Sequence, residues 1–185
     1  LQIIHPLALY GGYVLYAVPF ALVTGGLMAG QMEGAWLRLA KHWATISWIF
    51  LTAGIVLGAR WAYAELGWGG YWAWDPVENA SLIPWLAGTA LLHNGVLRRT
   101  AARLRMSWAV MLMVTFNLCL FGTFLTRSGV IQSVHAFGES SIGPVLGGGI
   151  VLFVFLCGLL LIWRMPLFKF ADTERRTRGW VGQLV

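Results

Sequence analysis

The sequence predicts an all-α fold, a polytopic membrane helix bundle with about five transmembrane helices and an aromatic segment on its outer side. Of the 185 residues, 58% are hydrophobic and only 11% are charged, which is more apolar surface than a soluble domain of this length can bury in one core. Several stretches are also apolar enough, and long enough, to cross a bilayer core of about 30 Å, which takes roughly 20 helical residues. Composition and pattern together indicate a membrane protein.

The predicted spans follow one another with short connections, at about 6–29, 43–62, 80–97, 107–126 and 143–163. Because such connections leave no room for a separate soluble domain, we divide the chain into two parts. Residues 1–163 form the transmembrane bundle, which includes an outer segment at 61–80 and an outer loop at 127–142. Residues 164–185 form a basic cytoplasmic tail.

The basic residues predict the orientation of the bundle. Of the 13 Lys and Arg residues, all but Arg60 and Arg127 lie in the first and third connections and in the tail. Lys and Arg in short loops are retained on the cytoplasmic side, so the N-terminus, the 61–80 segment and the 127–142 loop should face outward. The net charge of +6 is explained by this topology and by lipid contact, and we do not expect a nucleic-acid partner.

The two cysteines are expected to be buried, inert thiols. Cys119 and Cys157 lie inside predicted spans, and no C-x-x-C or C-x-x-C-H spacing is present. The chain therefore should neither hold zinc through them nor carry covalent haem of its own.

A helix start is predicted directly before the third span. Asp75 suits the N-cap and Pro76 the first helical position, and Glu78 stands third, where its carboxylate can return to the amide of the cap. One interpretation is that Asp75 and Glu78 only cap and position the helix, and the other is that they also act on a ligand or partner. A hydrolytic acid–base pair is less favoured, because no nucleophile or metal cluster stands nearby in the sequence.

Several of the 11 tryptophans can be assigned to the membrane interfaces, where Trp and Tyr collect; these are Trp61, Trp85, Trp108 and Trp163. The stretch 67–74 needs another account, because glycines alternate there with aromatic side chains outside the spans. Glycine lets a backbone lie close to a flat group, so we predict a surface for a planar apolar ligand. We call it the aromatic shelf, and its members are Trp68, Tyr71, Trp72 and Trp74.

Two histidines are predicted at the same membrane surface as the aromatic shelf. His5 stands at the outer start of the first span, and His135 lies in the outer 127–142 loop. A single loop histidine is usually solvated, but two neutral imidazoles beside a flat apolar surface can supply both axial ligands of a haem iron.

His93 belongs to a different depth, roughly 20 Å into the span that starts near Ala80, at about 1.5 Å per residue. Ionisable groups at such depth are expensive and are usually functional, so a ligand or proton role is favoured over a buried structural histidine. His93 cannot share an iron with His5 or His135, so the sequence predicts two sites. His42, on the inner side, is interpreted as an interface histidine, and a ligand role for it is the minor alternative.

Arg60 and Arg127, the two outward basic residues, stand at the outer ends of spans. They suit anionic carboxylates such as haem propionates, and snorkelling to lipid headgroups explains them equally well.

The stretch "WGGYWAWDPVENASLIPWL", residues 68 to 86, resembles the WWD signature of the haem-handling proteins of cytochrome c biogenesis. With Val77-Glu78-Asn79 after the Asp-Pro pair, it is similar to the CcmF type more than to the CcmC or CcsA types. Three further segments are similar to CcmF segments in the same order: "HPLALYGGY", "WLAGTALLHNGVL" and "GTFLTRSGVIQSVHAF". Members of that family are much longer, so we expect this sequence to be an excerpt of a longer protein.

The resemblance implies a haem lyase subunit in the bacterial inner membrane, with the WWD segment on the periplasmic side. Such a subunit takes haem from the chaperone CcmE and, with a CcmH-type thioreductase subunit, attaches it to the C-x-x-C-H motif of an apocytochrome c. His5 and His135 match the outer haem ligands. His93 matches one of two transmembrane ligands of a haem b, and the second lies beyond what can be matched here.

The expected mechanism places haem with one face against Trp68, Trp72 and Trp74, while the thiols of the apocytochrome add to its vinyl groups. Trp72, Trp74 and Asp75 are the residues expected to act in attachment. The haem b would pass electrons outward, for example from a quinol. The alternative keeps the same residues without this catalysis, as a quinol-oxidising haem b protein or as a scaffold that only presents haem.

Overall fold

The computed structural model contains only α-helices and their connections in the part of the chain that it describes. That part is residues 1–31, 35–67, 69–96, 102–131, 133 and 142–181, without the side chains of 95, 96, 102–105 and 167–181. Its helices are α1 (Ile4–Leu15), α2 (Ala17–Met28), α3 (Ala35–Glu65), α4 (Pro76–Val96), α5 (Ala102–Arg127) and α6 (Gly143–Val181). The predicted all-α fold is confirmed.

Among the described residues, four helical stretches are long and apolar enough to cross a membrane: Ile4–Met28, Ala35–Glu65, Met106–Arg127 and Gly143–Pro166. They correspond to the first, second, fourth and fifth predicted spans. The chain is therefore a polytopic helix bundle, and we call the end that carries the connection between α3 and α4 its outer end.

The first span consists of two helices, because α1 ends at Leu15 and α2 begins at Ala17, with the fully buried Tyr16 between them. Pro19 explains the interruption, since it has no backbone N–H to donate to the carbonyl of Leu15 and its ring crowds the preceding turn. The backbone of Tyr16 stays in the helical region, at φ −63° and ψ −19°. The predicted span is thus one crossing with a local irregularity.

The prediction of five similarly apolar spans is wrong for α4. This helix has 21 residues, but it is not among the four stretches selected by length and hydropathy. Its polar side chains bind the neighbouring helices: Thr89 accepts a hydrogen bond from Trp48 of α3 (2.9 Å), and Asn94 donates one to Ser107 of α5 (3.1 Å). Because α4 leads from the outer end of α3 towards the inner start of α5 and packs against both, it crosses the bundle in spite of its polarity.

α6 continues through Pro166 to Val181, so the predicted boundary at residue 163 falls inside a helix. Most of its membrane-crossing part is exposed in this chain. Near the inner end, Arg164 donates a hydrogen bond to the carbonyl of Met28 and lies 3.5 Å from the centre of the Trp163 ring. The bond to Met28 joins α6 to the end of α2, whereas the contact with Trp163 lies within α6.

α1 and α3 cross in close contact because two glycines remove side chains from their interface. A Cβ on Gly12 would lie 2.6 Å from the backbone nitrogen of Leu51, and a Cβ on Gly54 would lie 2.6 Å from the backbone nitrogen and Cα of Leu9. Small residues allow such approach in lipid, where van der Waals packing contributes strongly to helix association. The crossing brings the outer half of α1, with His5, directly against α3.

Two residues assigned to membrane interfaces make contacts with other helices. Trp108 is only 2% exposed and belongs to the hydrophobic core, and Trp85 of α4 is half-buried against α3. Their positions follow from contacts between helices, which hydropathy does not reveal. Of the two cysteines predicted to be buried, Cys119 is buried and Cys157 is half-buried; both are free thiols.

A reciprocal pair of hydrogen bonds joins α3 to α4, and we call it the Trp–Thr clasp. Trp48 of α3 donates from Nε1 to Thr89 of α4 (2.9 Å), while Trp85 of α4 donates from Nε1 to Thr52 of α3 (2.8 Å). The two indole rings are stacked, with centroids 5.9 Å apart and planes 22° apart. Each threonine hydroxyl also donates to the carbonyl of the tryptophan on its own helix. All four polar groups are thus satisfied between two helices.

Removing one indole N–H from the clasp is expected to destabilise the bundle modestly. For Trp48→Phe or Trp85→Phe we expect the free energy of unfolding to fall by about 1 kcal/mol, the upper range for a side-chain hydrogen bond between membrane helices. The double variant should lose less than the sum, because the stacked rings share a contact. Thermal unfolding in detergent measures this, with Trp163→Phe, 61% exposed, as the control. Strictly additive losses would contradict a coupled clasp.

Candidate functional site

The connection between α3 and α4 turns back sharply on the outer end of α3. Gly67 and Gly69 adopt φ of +68° and +75°, values that side chains with a Cβ rarely accept. Tyr71 then lies face to face with Tyr63 of α3, with ring centroids 4.4 Å apart and planes 12° apart. The turn and the stacked rings place the WWD segment, residues 71–79, over the outer ends of α1 and α3.

The predicted capping box at the start of α4 is present. The carboxylate oxygen Oδ2 of Asp75 accepts a hydrogen bond from the amide of Val77 (3.0 Å), and Oε2 of Glu78 accepts one from the amide of Asp75 (3.2 Å). Both acids therefore satisfy amides at the first turn that have no partner within the helix. The capping contacts predicted for Asp75 and Glu78 are confirmed, and a further role towards a ligand stays a prediction.

Trp74 has an unusual backbone conformation, with φ of +59°. For a residue with a side chain, this left-handed region costs about 1–2 kcal/mol and persists only where surrounding contacts impose it. Its indole is 71% exposed, so burial of the ring does not offset that cost. The contacts that hold the backbone come from α4: Asn79 donates from Nδ2 to the carbonyl of Trp74 (3.0 Å), and Glu78 accepts from the amide of Ala73 (2.9 Å).

The described members of the aromatic shelf do not lie in one plane. The rings of Trp72 and Trp74 meet edge to face, with centroids 6.3 Å apart and planes 84° apart, and Tyr71 stacks on Tyr63. A planar ligand can therefore lie flat against one of the two indoles and meet the other at its edge. The predicted binding of a planar ligand here stays a prediction. Trp68 lies outside the described residues.

His5 lies in the first turn of α1 and faces α3. Its Nδ1 is 2.7 Å from the carbonyl oxygen of Gly54; since a carbonyl only accepts, Nδ1 carries the hydrogen, and in the neutral ring the lone pair is on Nε2. The imidazole is nearly parallel to the ring of Trp61, at 11° and 6.5 Å between centroids. A carbonyl that fixes the tautomer in this way is the usual outer-shell partner of a histidine that ligates a metal.

His5 and the WWD segment line one small cavity of about 40 Å³, together with parts of α1, α3 and α4. Trp72 and Glu78 form the wall opposite His5, and Trp72 Nε1 is buried without a hydrogen-bond partner. A cavity of this size holds no more than a few water molecules. Haem is many times larger and does not fit inside it. A haem bound through His5 would have to lie over the cavity and against the exposed part of the WWD segment.

Asp75 also joins the WWD segment to the loop after α5. Its Oδ2 accepts a hydrogen bond from the hydroxyl of Ser133 at 2.7 Å, and Ser133 stands two residues before His135 in the sequence. One carboxylate oxygen of Asp75 therefore accepts hydrogen bonds both from the amide of Val77 at the start of α4 and from Ser133 in the 127–142 loop. His135 itself lies outside the described residues, so its predicted pairing with His5 stays a prediction.

Arg60 and Arg127 are both exposed at the outer ends of α3 and α5. Their placement on the predicted side of the bundle is compatible with either account given above, and their role towards propionates stays a prediction. No group of three or more His, Cys, Asp or Glu residues that could hold a bare metal ion occurs in the described part of the chain.

His93 is exposed on α4, far from His5. It lies about 22 Å further along the helix than Glu78, at about 1.5 Å per residue, which agrees with two separate sites. Its Nδ1 donates to the carbonyl of Thr89 (2.8 Å), the residue that accepts from Trp48 in the Trp–Thr clasp. His42 makes the same bond to the carbonyl of Arg38 (2.8 Å), so this bond alone does not mark a ligand.

Sequence reasoning missed the roles of Gly58 and Ser133. A Cβ on Gly58 would lie 2.5 Å from Cε1 of His5, so this glycine provides the space that the imidazole occupies. The spacing Gly54-x-x-x-Gly58 is the small-xxx-small pattern of close helix contacts, and this signal could have located the residue opposite His5. Nothing in the sequence marks Ser133 as a partner of Asp75, because they stand 58 residues apart.

The known proteins that this chain is similar to include proteins of cytochrome c biogenesis. The family model described as cytochrome C assembly protein matches residues 1–131. CycK of Bradyrhizobium diazoefficiens, a cytochrome c-type biogenesis protein, is 49% identical over 95% of this chain and 26% of its own length. CcmF of Escherichia coli is 48% identical over 87% of this chain and 25% of its own.

A solved structure titled cytochrome c heme lyase CcmF superimposes with a TM-score of 0.72 and 36% identity, over 90% of this chain and 27% of that one. The chain thus spans about a quarter of the length of the relatives it matches. The similarity to the CcmF type that the WWD segment indicated is confirmed. Because the family model covers most of the chain, including α1, the WWD segment and His93, the chain belongs to the cytochrome c assembly protein family.

Proposed function

We propose that this chain is the haem-handling part of a cytochrome c haem lyase, which binds haem at its outer end and attaches it to an apocytochrome. The observation that carries the proposal is the placement of His5: its tautomer is fixed by the Gly54 carbonyl, and it lines one cavity with Trp72 of the WWD segment. The bundle lies in the inner membrane of the cell, with the WWD segment on the periplasmic side, as the distribution of Lys and Arg favours.

The residues of the outer end fit haem as a substrate. His5 ligates the iron through Nε2, and His135, by resemblance, supplies the opposite ligand. One indole of the pair Trp72 and Trp74 lies against the porphyrin plane, and the other contacts its edge, as their perpendicular rings require. Arg60 and Arg127 contribute positive charge on the same side, which suits the two propionates.

Attachment joins the two cysteine thiols of the C-x-x-C-H motif to the two vinyl groups. In each addition the sulfur bonds to one vinyl carbon and the thiol hydrogen goes to the other, so no electron is gained or lost in forming the thioether. The chain contributes by holding haem in one orientation, which is the proximity effect that accelerates reactions between bound partners. The histidine of the motif then replaces one protein ligand, which lets the product leave.

His93 fits a haem b as one axial ligand, because its imidazole is exposed on α4 and its Nδ1 is held by the Thr89 carbonyl. When bound, that haem supplies electrons that keep the iron of the substrate reduced, with a quinol as the donor. The proposed partners are the haem chaperone CcmE, a CcmH-type thioreductase subunit, apocytochrome c and membrane lipids. The same exposed His93 also favours the second candidate, a quinol-oxidising haem b protein or a non-catalytic haem-presenting scaffold.

The test uses the complete protein expressed with its biogenesis partners, and it measures two quantities: covalent haem on a reporter cytochrome, and the reduced-minus-oxidised spectrum of the purified protein. We expect His5→Ala to lower attachment by more than about tenfold, since even partners that only orient a metal ligand have effects of that size, while a b-type signal remains. His93→Ala should remove the b-type signal.

His42→Ala is the matched control, because His42 is exposed and makes the same intrahelical hydrogen bond as His93; both quantities should stay unchanged. Normal attachment in His5→Ala would rule out the outer haem site. A normal spectrum in His93→Ala would remove the haem b, and with it the redox part of the proposal. Attachment that is normal in both Trp72→Ala and Asp75→Ala would favour the scaffold.

A further inference from the structure

We propose that Glu78 and Asn79 are positioning residues, which hold the backbone of Trp74 in its left-handed conformation and so present the indole outside the protein surface. The inference rests on the proposed function, because the presented ring is one of the two assigned to haem. It adds to that function two residues that touch no ligand themselves and that act through Trp74.

The first observation is the position of one oxygen atom. Oε2 of Glu78 accepts a hydrogen bond from the amide of Ala73 at 2.9 Å and another from the amide of Asp75 at 3.2 Å, the two residues on either side of Trp74. Amides that converge on one anion are typical of a backbone nest, in which a left-handed residue turns neighbouring N–H groups to the same side. The φ of +59° at Trp74 is what this convergence requires.

The second observation is that the carbonyl on the other side of Trp74 is held as well. Asn79, the next residue of α4, donates from Nδ2 to that carbonyl at 3.0 Å. The side chains of two consecutive residues at the start of α4 thus make three hydrogen bonds to residues 73–75. Because the capping box fixes this turn, the orientation of Trp74 follows from the start of the helix.

The third observation is that burial does not explain the conformation. Trp74 is 71% exposed, and its ring contact with Trp72, another described residue, is edge to face. A strained residue with an exposed side chain is a pattern typical of functional sites. The left-handed backbone of Trp74 keeps its indole exposed for contact with a ligand, close to the surface where His5 and Trp72 lie.

The chain allows these roles to be separated by substitution. Trp74→Gly keeps a residue that readily adopts a positive φ but removes the indole. Glu78→Ala removes the shared acceptor, whereas Glu78→Gln keeps a side-chain oxygen at the same distance. Asn79→Asp keeps the shape of the side chain but replaces the donor with a carboxylate, which the carbonyl of Trp74 repels.

Two measurements on the complete protein decide the matter: haem bound at the outer end, titrated in a His93→Ala background that removes the b-type signal, and amide hydrogen exchange of a peptide covering residues 73–75. We expect Glu78→Ala and Asn79→Asp to weaken haem binding about as much as Trp74→Gly does, and to accelerate exchange. Trp74→Gly should leave exchange slow, and Glu78→Gln should restore both quantities towards wild type. Glu78→Ala combined with Trp74→Gly should bind haem no more weakly than Trp74→Gly alone.

Faster exchange with unchanged haem binding in Glu78→Ala would overturn the positioning role and leave a simple helix cap. Unchanged haem binding in Trp74→Gly would instead show that the indole does not contact haem, a failure of the proposed function at this residue. The two failures are distinguishable because only the second involves a variant whose backbone contacts are intact.

Discussion

Replacing Gly54 with alanine is expected to separate α1 from α3 and to lose the outer haem site. The added Cβ would lie 2.6 Å from the backbone nitrogen and Cα of Leu9, atoms that cannot move without shifting the whole of α1. Overpacking of this kind costs about 1–3 kcal/mol. The carbonyl of Gly54 also holds Nδ1 of His5, so any shift between the helices disturbs the ligand directly. Thermal unfolding in detergent and covalent attachment to a reporter cytochrome measure the two effects.

Gly25→Ala is the matched control for this experiment. It is also a helix glycine in the first span, but a Cβ there would meet nothing within 4 Å, so the variant should be as stable as wild type or slightly more stable because of its higher helix propensity. Gly12→Ala should behave like Gly54→Ala in stability, since its Cβ would meet the backbone of Leu51. If Gly54→Ala unfolds at the wild-type temperature and attaches haem normally, the tight crossing of α1 and α3 is contradicted.

Gly58→Ala is expected to give the opposite combination, a stable protein without the outer haem site. The three atoms nearest to its Cβ would all belong to the imidazole of His5, at 2.5 Å for Cε1, 2.8 Å for Nδ1 and 3.1 Å for Nε2. The ring can rotate away without moving a helix backbone, and alanine favours helix by roughly 1 kcal/mol over glycine. The displaced imidazole loses its bond to Gly54, so haem binding at the outer end and covalent attachment should both fall strongly.

The b-type signal assigned to His93 is the internal control for Gly58→Ala. His93 lies near the end of α4 that is far from His5 and the WWD segment. The b-type signal should be unchanged in this variant. A stable Gly58→Ala protein that attaches haem at the wild-type rate would show that the observed position of the imidazole is not needed. Loss of both the b-type signal and stability would indicate general misfolding and would contradict the local clash inferred here.

Much of the fold and part of the site follow from local patterns that a sequence displays directly. Hydropathy located three of the spans to within three residues and placed the start of the second eight residues too late. The Asp-Pro-x-Glu spacing identified the capping box at Asp75. The outer placement of His5 beside the WWD segment followed from orientation alone, because Lys and Arg mark the inner side. Each of these features depends on residues that are close in sequence.

The rest depends on contacts between distant residues. The left-handed Trp74 is held by side chains of α4 that bond to the preceding segment, and the glycine spacing around it does not reveal these contacts. Trp85 was assigned to the membrane interface because nothing near it reveals that Thr52 of another helix accepts its N–H. The polar residues of α4 are explained in the same way, by contacts with other helices. Thr89 bonds to Trp48 of α3, and Asn94 bonds to Ser107 of α5.

The Trp–Thr clasp determines the rotational register of α4. A helix turns by about 100° per residue, so a slip of α4 by a single residue against α3 would break both indole bonds and turn Glu78 and His93 to different faces together. The same two hydrogen bonds, from Trp48 to Thr89 and from Trp85 to Thr52, therefore orient both the first turn of α4 and His93. The contacts of α4 with α3 therefore fix the direction in which Glu78, at one end of α4, and His93, at the other end, face.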